Sequence, residues 1–214
     1  MSHVQIVSSH ISFTRIPAVA IWIVVALITT ADIVVTHAAA SEPRFDGEVA
    51  VKWVESDGPD REMMLLAPFS FVDESNVTWN VPRGAIVDGA SIPKWLWTLV
   101  GSPYVGDYRR ASVVHDYFCD VRTKPSDAVH LMFYEAAITG GVSVGGAKIL
   151  YAGILIDGPR WKIITPAGAL PGVKPIIIDD PKSFDGLNRD EFLKWIRDEN
   201  PSVEEIRSRV EAHN

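Results

Sequence analysis

Cysteine is almost absent from this chain of 214 residues: Cys119 is the only one, so no intramolecular disulfide can form. The fold must be held by packing or by a bound ion. Basic residues are also scarce, with 20 Lys+Arg against 27 Asp+Glu and a formal net charge of −7. The longest basic cluster is the pair Arg109–Arg110. Binding a phosphate backbone needs clustered cations to release counterions, which argues against nucleic acid as a partner. Histidine is thin too. His3, His10 and His37 lie in the first 40 residues, leaving His115, His130 and His213 beyond them. What is plentiful is apolar: 47% of residues are hydrophobic, the composition of one globular domain.

The apolar residues are concentrated at one place. Residues 17–35 read PAVAIWIVVALITTADIVV, with Asp32 as the one charge; Arg15 precedes them and Ala38-Ala39-Ala40 follows. A basic start, an apolar run and a small-residue ending are the parts of a secretory signal. The expectation is a cut after Ala40, leaving an exported (periplasmic or secreted) protein. The alternative is a membrane anchor, because about 20 apolar residues also span a bilayer. Three regions follow: 1–40 as signal peptide or anchor, 41–162 as the core domain, and 163–214 as a Pro/Gly-rich arm with a C-terminal amphipathic helix.

Periodicity changes along the core. Val49, Val51 and Trp53 alternate with Glu48, Ala50 and Lys52, the period of a half-buried strand. Residues 63–69 and 76–81 read as further strands of a small antiparallel sheet, ended by Pro82-Arg83-Gly84. Ser91 is placed to cap a short helix carrying Trp95, Leu96 and Leu99. Helices are expected over 107–121, from Pro125-Ser126-Asp127 to Gly140-Gly141, and over 146–156. The stretch 163–184 reads as an extended surface arm, and 188–208 as a charged helix broken near Pro201. The fold class is α+β: a small N-terminal antiparallel sheet followed by a compact bundle of three to four helices.

Two segments carry chemistry. Asp88-Gly89-Ala90-Ser91-Ile92-Pro93 is a turn running into a helix, with a carboxylate and backbone groups at its mouth. Val113-Val114-His115-Asp116-Tyr117 sets an imidazole and a carboxylate mid-helix. A helix turns about 100° per residue, so His115 and Asp116 must serve different partners. Asp127 opens the next helix, where an antiparallel return could carry its carboxylate back to His115.

The ordered motifs VPRGAIVDGASIPKWLW, GSPYVGDY, ASVVHDYFC and SDAVHLMFYEA resemble the domain of unknown function family 1353, found in tailed phages and bacterial genomes. The resemblance covers about residues 47–162 and implies no established activity. The turn, the mid-helix His-Asp and the later Asp also resemble the secretory sn-2 phospholipases, especially their prokaryotic members. That likeness implies His115 as general base, Asp127 as the carboxylate orienting it, and Asp116 with Asp88 as ligands of a divalent cation, Ca²⁺ before Zn²⁺. A hard cation takes oxygen ligands and can polarise an ester carbonyl. The departures are the absent disulfides, Ala90 beside the glycine, and Cys119 where an aromatic is expected.

The expected function is therefore a metal-dependent hydrolase of lipid or cell-envelope esters, with a membrane or envelope substrate. The alternative is a non-enzymatic envelope or phage-derived accessory protein in which His115 is a satisfied core histidine and Asp88 fixes a turn. Other chemistries fit less well. A zinc hydrolase built on His115 and His130 lacks a ligand spacing. Cys119 lies one helical turn from His115, and two residues of one helix rarely reach attack geometry. The glycines of 140–146 have no lysine and no preceding strand, so they form a loop and not a phosphate cradle.

Overall fold

The computed structural model describes residues 42–54, 62–89, 91–101, 106–168, 170, 172–181 and 187–213. The chain divides into units Met1–Ala39 and Ala40–Asn214, and every described residue belongs to the second. The apolar stretch 17–35, the expected cut after Ala40 and the turn at 56–60 lie outside the described residues. Among the described residues, no helix is long and apolar enough to cross a membrane.

The fold is α+β, antiparallel sheets first and helices after. Strands β1 (Arg44–Asp46), β4 (Phe69–Val72) and β5 (Thr78–Val81) pair antiparallel in the order β1-β4-β5. Strands β2 (Val51–Trp53), β3 (Met63–Leu65) and β6 (Ile86–Val87) form a second sheet in the order β2-β3-β6. The single sheet expected from sequence is thus two. Pro82-Arg83-Gly84 does not end the β region: β6 follows it and pairs with β3. Gly84, at φ +86°, makes the tight reversal that brings β6 back. In β5 the buried Trp79 and Val81 alternate with the exposed Thr78 and Asn80, so one face packs inward.

A 3₁₀ turn over Lys94–Leu96 leads into α1 (Trp97–Val100). Ser91 does not cap it; the residue before the 3₁₀ turn is Pro93, with no side-chain cap. Helices α2 (Arg109–Val121), α3 (Ser126–Thr139) and α4 (Val144–Asp157) then pack in succession, α2 on α3 and α3 on α4. Phe118 of α2 meets Trp79 edge-on, with ring centroids 5.0 Å apart, joining helices to sheet. The arm is an antiparallel hairpin, β7 (Trp161–Ile164) with β8 (Ile176–Asp179). The final helix is two, α5 (Arg189–Glu199) and α6 (Val203–Glu211), each with its own cap: Asn188 for the first and a Ser202–Glu205 capping box for the second.

Helix α4 is buried almost all round because it serves two cores. Ala147, Leu150 and Ile154 join the main core, while Tyr151, Ala152, Leu155 and Ile156 pack against Phe192, Ile196, Ile206 and Val210 of α5 and α6. Lys148, also buried, donates to the side-chain oxygen (2.7 Å) and backbone carbonyl (3.2 Å) of Asn200, the left-handed residue that ends α5.

Candidate functional site

Helix α2 supplies the site with two faces. On the core side, Ala111, Val114, His115 and Phe118 are buried, and Cys119 stacks one turn beyond His115. Asp116, rotated by about 100° from His115, faces the turn before α1 instead. Its Oδ2 accepts the backbone N–H groups of Asp88 (2.7 Å) and Gly89 (3.0 Å), and its Oδ1 accepts that of Ser91 (3.3 Å). Gly89 reaches this arrangement at φ +70°, a conformation a side chain disfavours. Asp116 is therefore a latch: one buried carboxylate satisfies three loop donors and fixes the turn to α2.

The connection to α3 is short. Arg122 ends α2 in the left-handed region, and α3 begins at Ser126. Ser126 Oγ donates to the Trp161 carbonyl (3.0 Å), and Trp161 Nε1 donates to the Lys124 carbonyl (2.8 Å). These bonds tie β7 and the residues before it to the α2–α3 corner, setting the Pro159 carbonyl beside α3.

There the structure places His130 against His115. Nε2 of His115 and Nδ1 of His130 are 3.0 Å apart, and Nε2 of His130 lies 3.0 Å from the Pro159 carbonyl. Both rings are completely buried. A carbonyl only accepts, so His130 carries its proton on Nε2 and its Nδ1 accepts from His115 Nε2–H. Cys119 Sγ lies 3.6 Å from Nε2 and 3.8 Å from Nδ1 of His115. Phe133 walls the His115 ring at 4.8 Å between centroids. Burial holds His115 down to about 3 and His130 well below its ordinary value, the neighbouring His115 adding to the effect. Burial likewise pushes the Cys119 thiol up, partly offset by a hydrogen bond with the Ser91 side chain. All three groups are neutral near pH 7.

Asp127 is not brought to this cluster. It is exposed in the first turn of α3, where a carboxylate favours the helix dipole, and its charge acts on Arg160 and Tyr151. Three residues on, almost one turn deeper, His130 occupies the inward position level with His115. Asp88 and Asp116 do meet, through an N–H donated to a carboxylate.

Cys119 lines a cleft of about 420 Å³ together with Glu62, Asp88, Ser91, Asp116 and Asp120. On the other side of Gly89 and Asp116 lies an apolar groove of about 240 Å³, floored by Val49, Val51, Met63 and Val87. Sequence alone sets aside both the pairing of His115 with His130 and that of His115 with Cys119; that the three form one cluster follows from the packing of α3 on α2.

Residues 63–154 match the model of a family described as protein of unknown function (DUF1353). The chain carries a DUF1353 segment. That segment runs from β3 into α4 and contains Asp88, His115, Asp116, Cys119, Asp127 and His130. Two proteins of Sinorhizobium fredii (strain NBRC 101917 / NGR234) are similar to it. "Uncharacterized protein y4jT" is 37% identical over 121 residues, covering 56% of this chain and 36% of the relative. "Uncharacterized protein y4iH" is 35% identical over 113 residues, covering 53% of this chain and 47% of the relative. This chain thus spans less than half the length of either. No solved structure matches the chain. The likeness to the sn-2 phospholipases has no counterpart in these matches, and His130 stands where that likeness called for a carboxylate beside His115.

Proposed function

We propose that the DUF1353 segment is a hydrolase whose reaction centre is His115, His130 and Cys119, with Cys119 lining the acidic cleft and the two histidines buried behind it. One observation carries this reading: two completely buried imidazoles 3.0 Å apart, beside a thiol that lines an open cleft. Burying polar rings costs free energy that hydrogen bonds only partly recover. A core needing mere packing would be better served by apolar side chains at both positions. Neutral imidazole is the form that accepts a proton from water or offers a lone pair to an electrophile.

Four carboxylates line the cleft against the single guanidinium of Arg122. That balance repels anionic lipid headgroups and favours neutral or cationic esters and amides. Export through, or anchoring by, the segment at residues 1–40 is part of the proposal, since envelope esters lie outside the cytoplasm.

The test uses the full chain against a panel of neutral and cationic esters and amides. His115→Gln and His130→Ala lower turnover by about a hundredfold or more, the scale of losing a positioned proton carrier. Asp127→Asn leaves it near the parent value. Loss with Asp127→Asn but not with His130→Ala would return the orienting role to Asp127. No turnover on any member of the panel would put the accessory-protein reading in its place.

A further inference from the structure

We infer that His115, His130 and Cys119 form a binding site for Zn²⁺, using His115 Nε2, His130 Nδ1 and Cys119 Sγ, with the fourth position open to the cleft. The three ligand atoms lie within 4.8 Å of one another, and all three residues are buried. They come from two facing helices, Cys119 one turn beyond His115 on α2 and His130 opposite on α3.

The pair distances come close to those of a tetrahedral ion. Metal–nitrogen bonds of about 2.05 Å and a metal–sulfur bond of about 2.3 Å place nitrogen and sulfur about 3.6 Å apart, and two nitrogens about 3.35 Å apart. The His115 Nε2 to Cys119 Sγ distance is 3.6 Å, with Sγ also 3.8 Å from Nδ1, so the Cys119 side chain must turn toward the Nε2 lone pair for both to hold one ion. The two ring nitrogens stand at 3.0 Å, so the ion enters if they part by a few tenths of an ångström and the rings turn until both lone pairs meet on it. The donor set selects the element: two imidazoles and a thiolate suit a borderline-soft ion, whereas Ca²⁺ requires oxygen ligands. The outer contact is also present, because His130 directs its other ring nitrogen at the Pro159 carbonyl, 3.0 Å away.

The proton balance is simple. Without metal, Cys119 is a thiol, His115 carries its proton on Nε2, and His130 on its own Nε2. On binding, the His115 proton moves to Nδ1, His130 keeps its proton, and the thiol proton is released to solvent. One Zn²⁺ therefore releases one proton. Three protein ligands leave one corner for water, and Cys119 is the ligand that lines the cleft. The ion's use in catalysis rests on the hydrolase reading; its binding does not.

The experiment takes the full chain, stripped by a chelator, and titrates it with Zn²⁺ by calorimetry and with Co²⁺ by absorption. Binding of one ion per chain is expected, with release of one proton. Co²⁺ should give a tetrahedral visible spectrum and a thiolate charge-transfer band. Cys119→Ser keeps its far-ultraviolet circular dichroism, loses the charge-transfer band, and binds Zn²⁺ at least about tenfold more weakly. No binding by the folded parent, or a cobalt spectrum unchanged by Cys119→Ser, overturns the site. A chain that binds one Zn²⁺ and hydrolyses nothing keeps the site and removes the hydrolase. A chain that hydrolyses esters and binds no ion does the reverse.

Discussion

Asp116→Asn is the perturbation with the largest predictable consequence. The parent carboxylate accepts three backbone N–H groups at 2.7, 3.0 and 3.3 Å, from Asp88, Gly89 and Ser91. The amide keeps one oxygen, and the two shorter bonds compete for it as neutral rather than charge-assisted bonds. Its NH₂ then faces the Ser91 N–H, donor against donor. Charge-assisted bonds contribute about 1.5–3 kcal/mol each, roughly twice the neutral value. Losing the charge from two bonds and the third bond outright amounts to about 3–6 kcal/mol. Asp88 and Ser91 are only half-buried, so water recovers part of the deficit and the lower end of that range, about 3 kcal/mol, applies.

Urea unfolding of the full chain at neutral pH measures this directly. With a slope of about 2 kcal/mol per molar urea, the midpoint falls by about 1.5 M at unchanged slope. The series is run with added Ca²⁺ and with a calcium chelator. A latch loses the same stability in both, whereas a calcium ligand would stabilise only the parent, and only with the ion present. A midpoint within about 0.3 M of the parent would refute the latch.

Acid should also destabilise the metal-free chain. His115 is held to about 3 and His130 well below its ordinary value, so below 6.5 the unfolded chain takes up protons that the folded chain refuses. Their contribution is complete above 6.5 and falls by about 1.4 kcal/mol per pH unit for each histidine as pH drops toward 3. Urea midpoints at pH 7.5 and pH 5 check it, and equal midpoints would contradict the buried neutral pair. Two glycines should respond oppositely to alanine. A Cβ at Gly140 would stand 2.4 Å from the Asp107 carbonyl oxygen, a backbone atom, so Gly140→Ala loses about 2 kcal/mol or more. Gly145, early in α4, has nothing within 4 Å of the added carbon, and Gly145→Ala gains up to about 1 kcal/mol. Thermal unfolding should move the two variants in opposite directions.

Local patterning sufficed for the helices and the sheet-then-helix order, though not for the split into two sheets, β6 or the β7–β8 hairpin. Period-two alternation located β2, the strand expected over 76–81 contains β5, and the apolar faces, caps and breakers located α2, α3 and α4 to within about two residues. The break at Pro201 separated α5 from α6. The 100° rotation between His115 and Asp116 also required two different partners, and they have them. Such features depend on residues a few positions apart, whose geometry the backbone itself imposes.

Which groups become partners is a different matter, because it depends on how far one element slides and turns on another. Asp127 and His130 begin the same helix, and either could face α2 by sequence alone. The packing of α3 on α2, with the Trp161 bonds at their corner, turned His130 inward and left Asp127 in solvent. Asp116 could equally have held an ion or a loop; three N–H groups arriving from residues 88–91 decided it. The α+β order, the family resemblance and the mid-helix setting of His115 among apolar residues follow from residues close together along the chain. Only the tertiary structure decided that its partners are a second histidine and the one cysteine, since helix register and depth are set by long-range packing and leave no local periodicity to read.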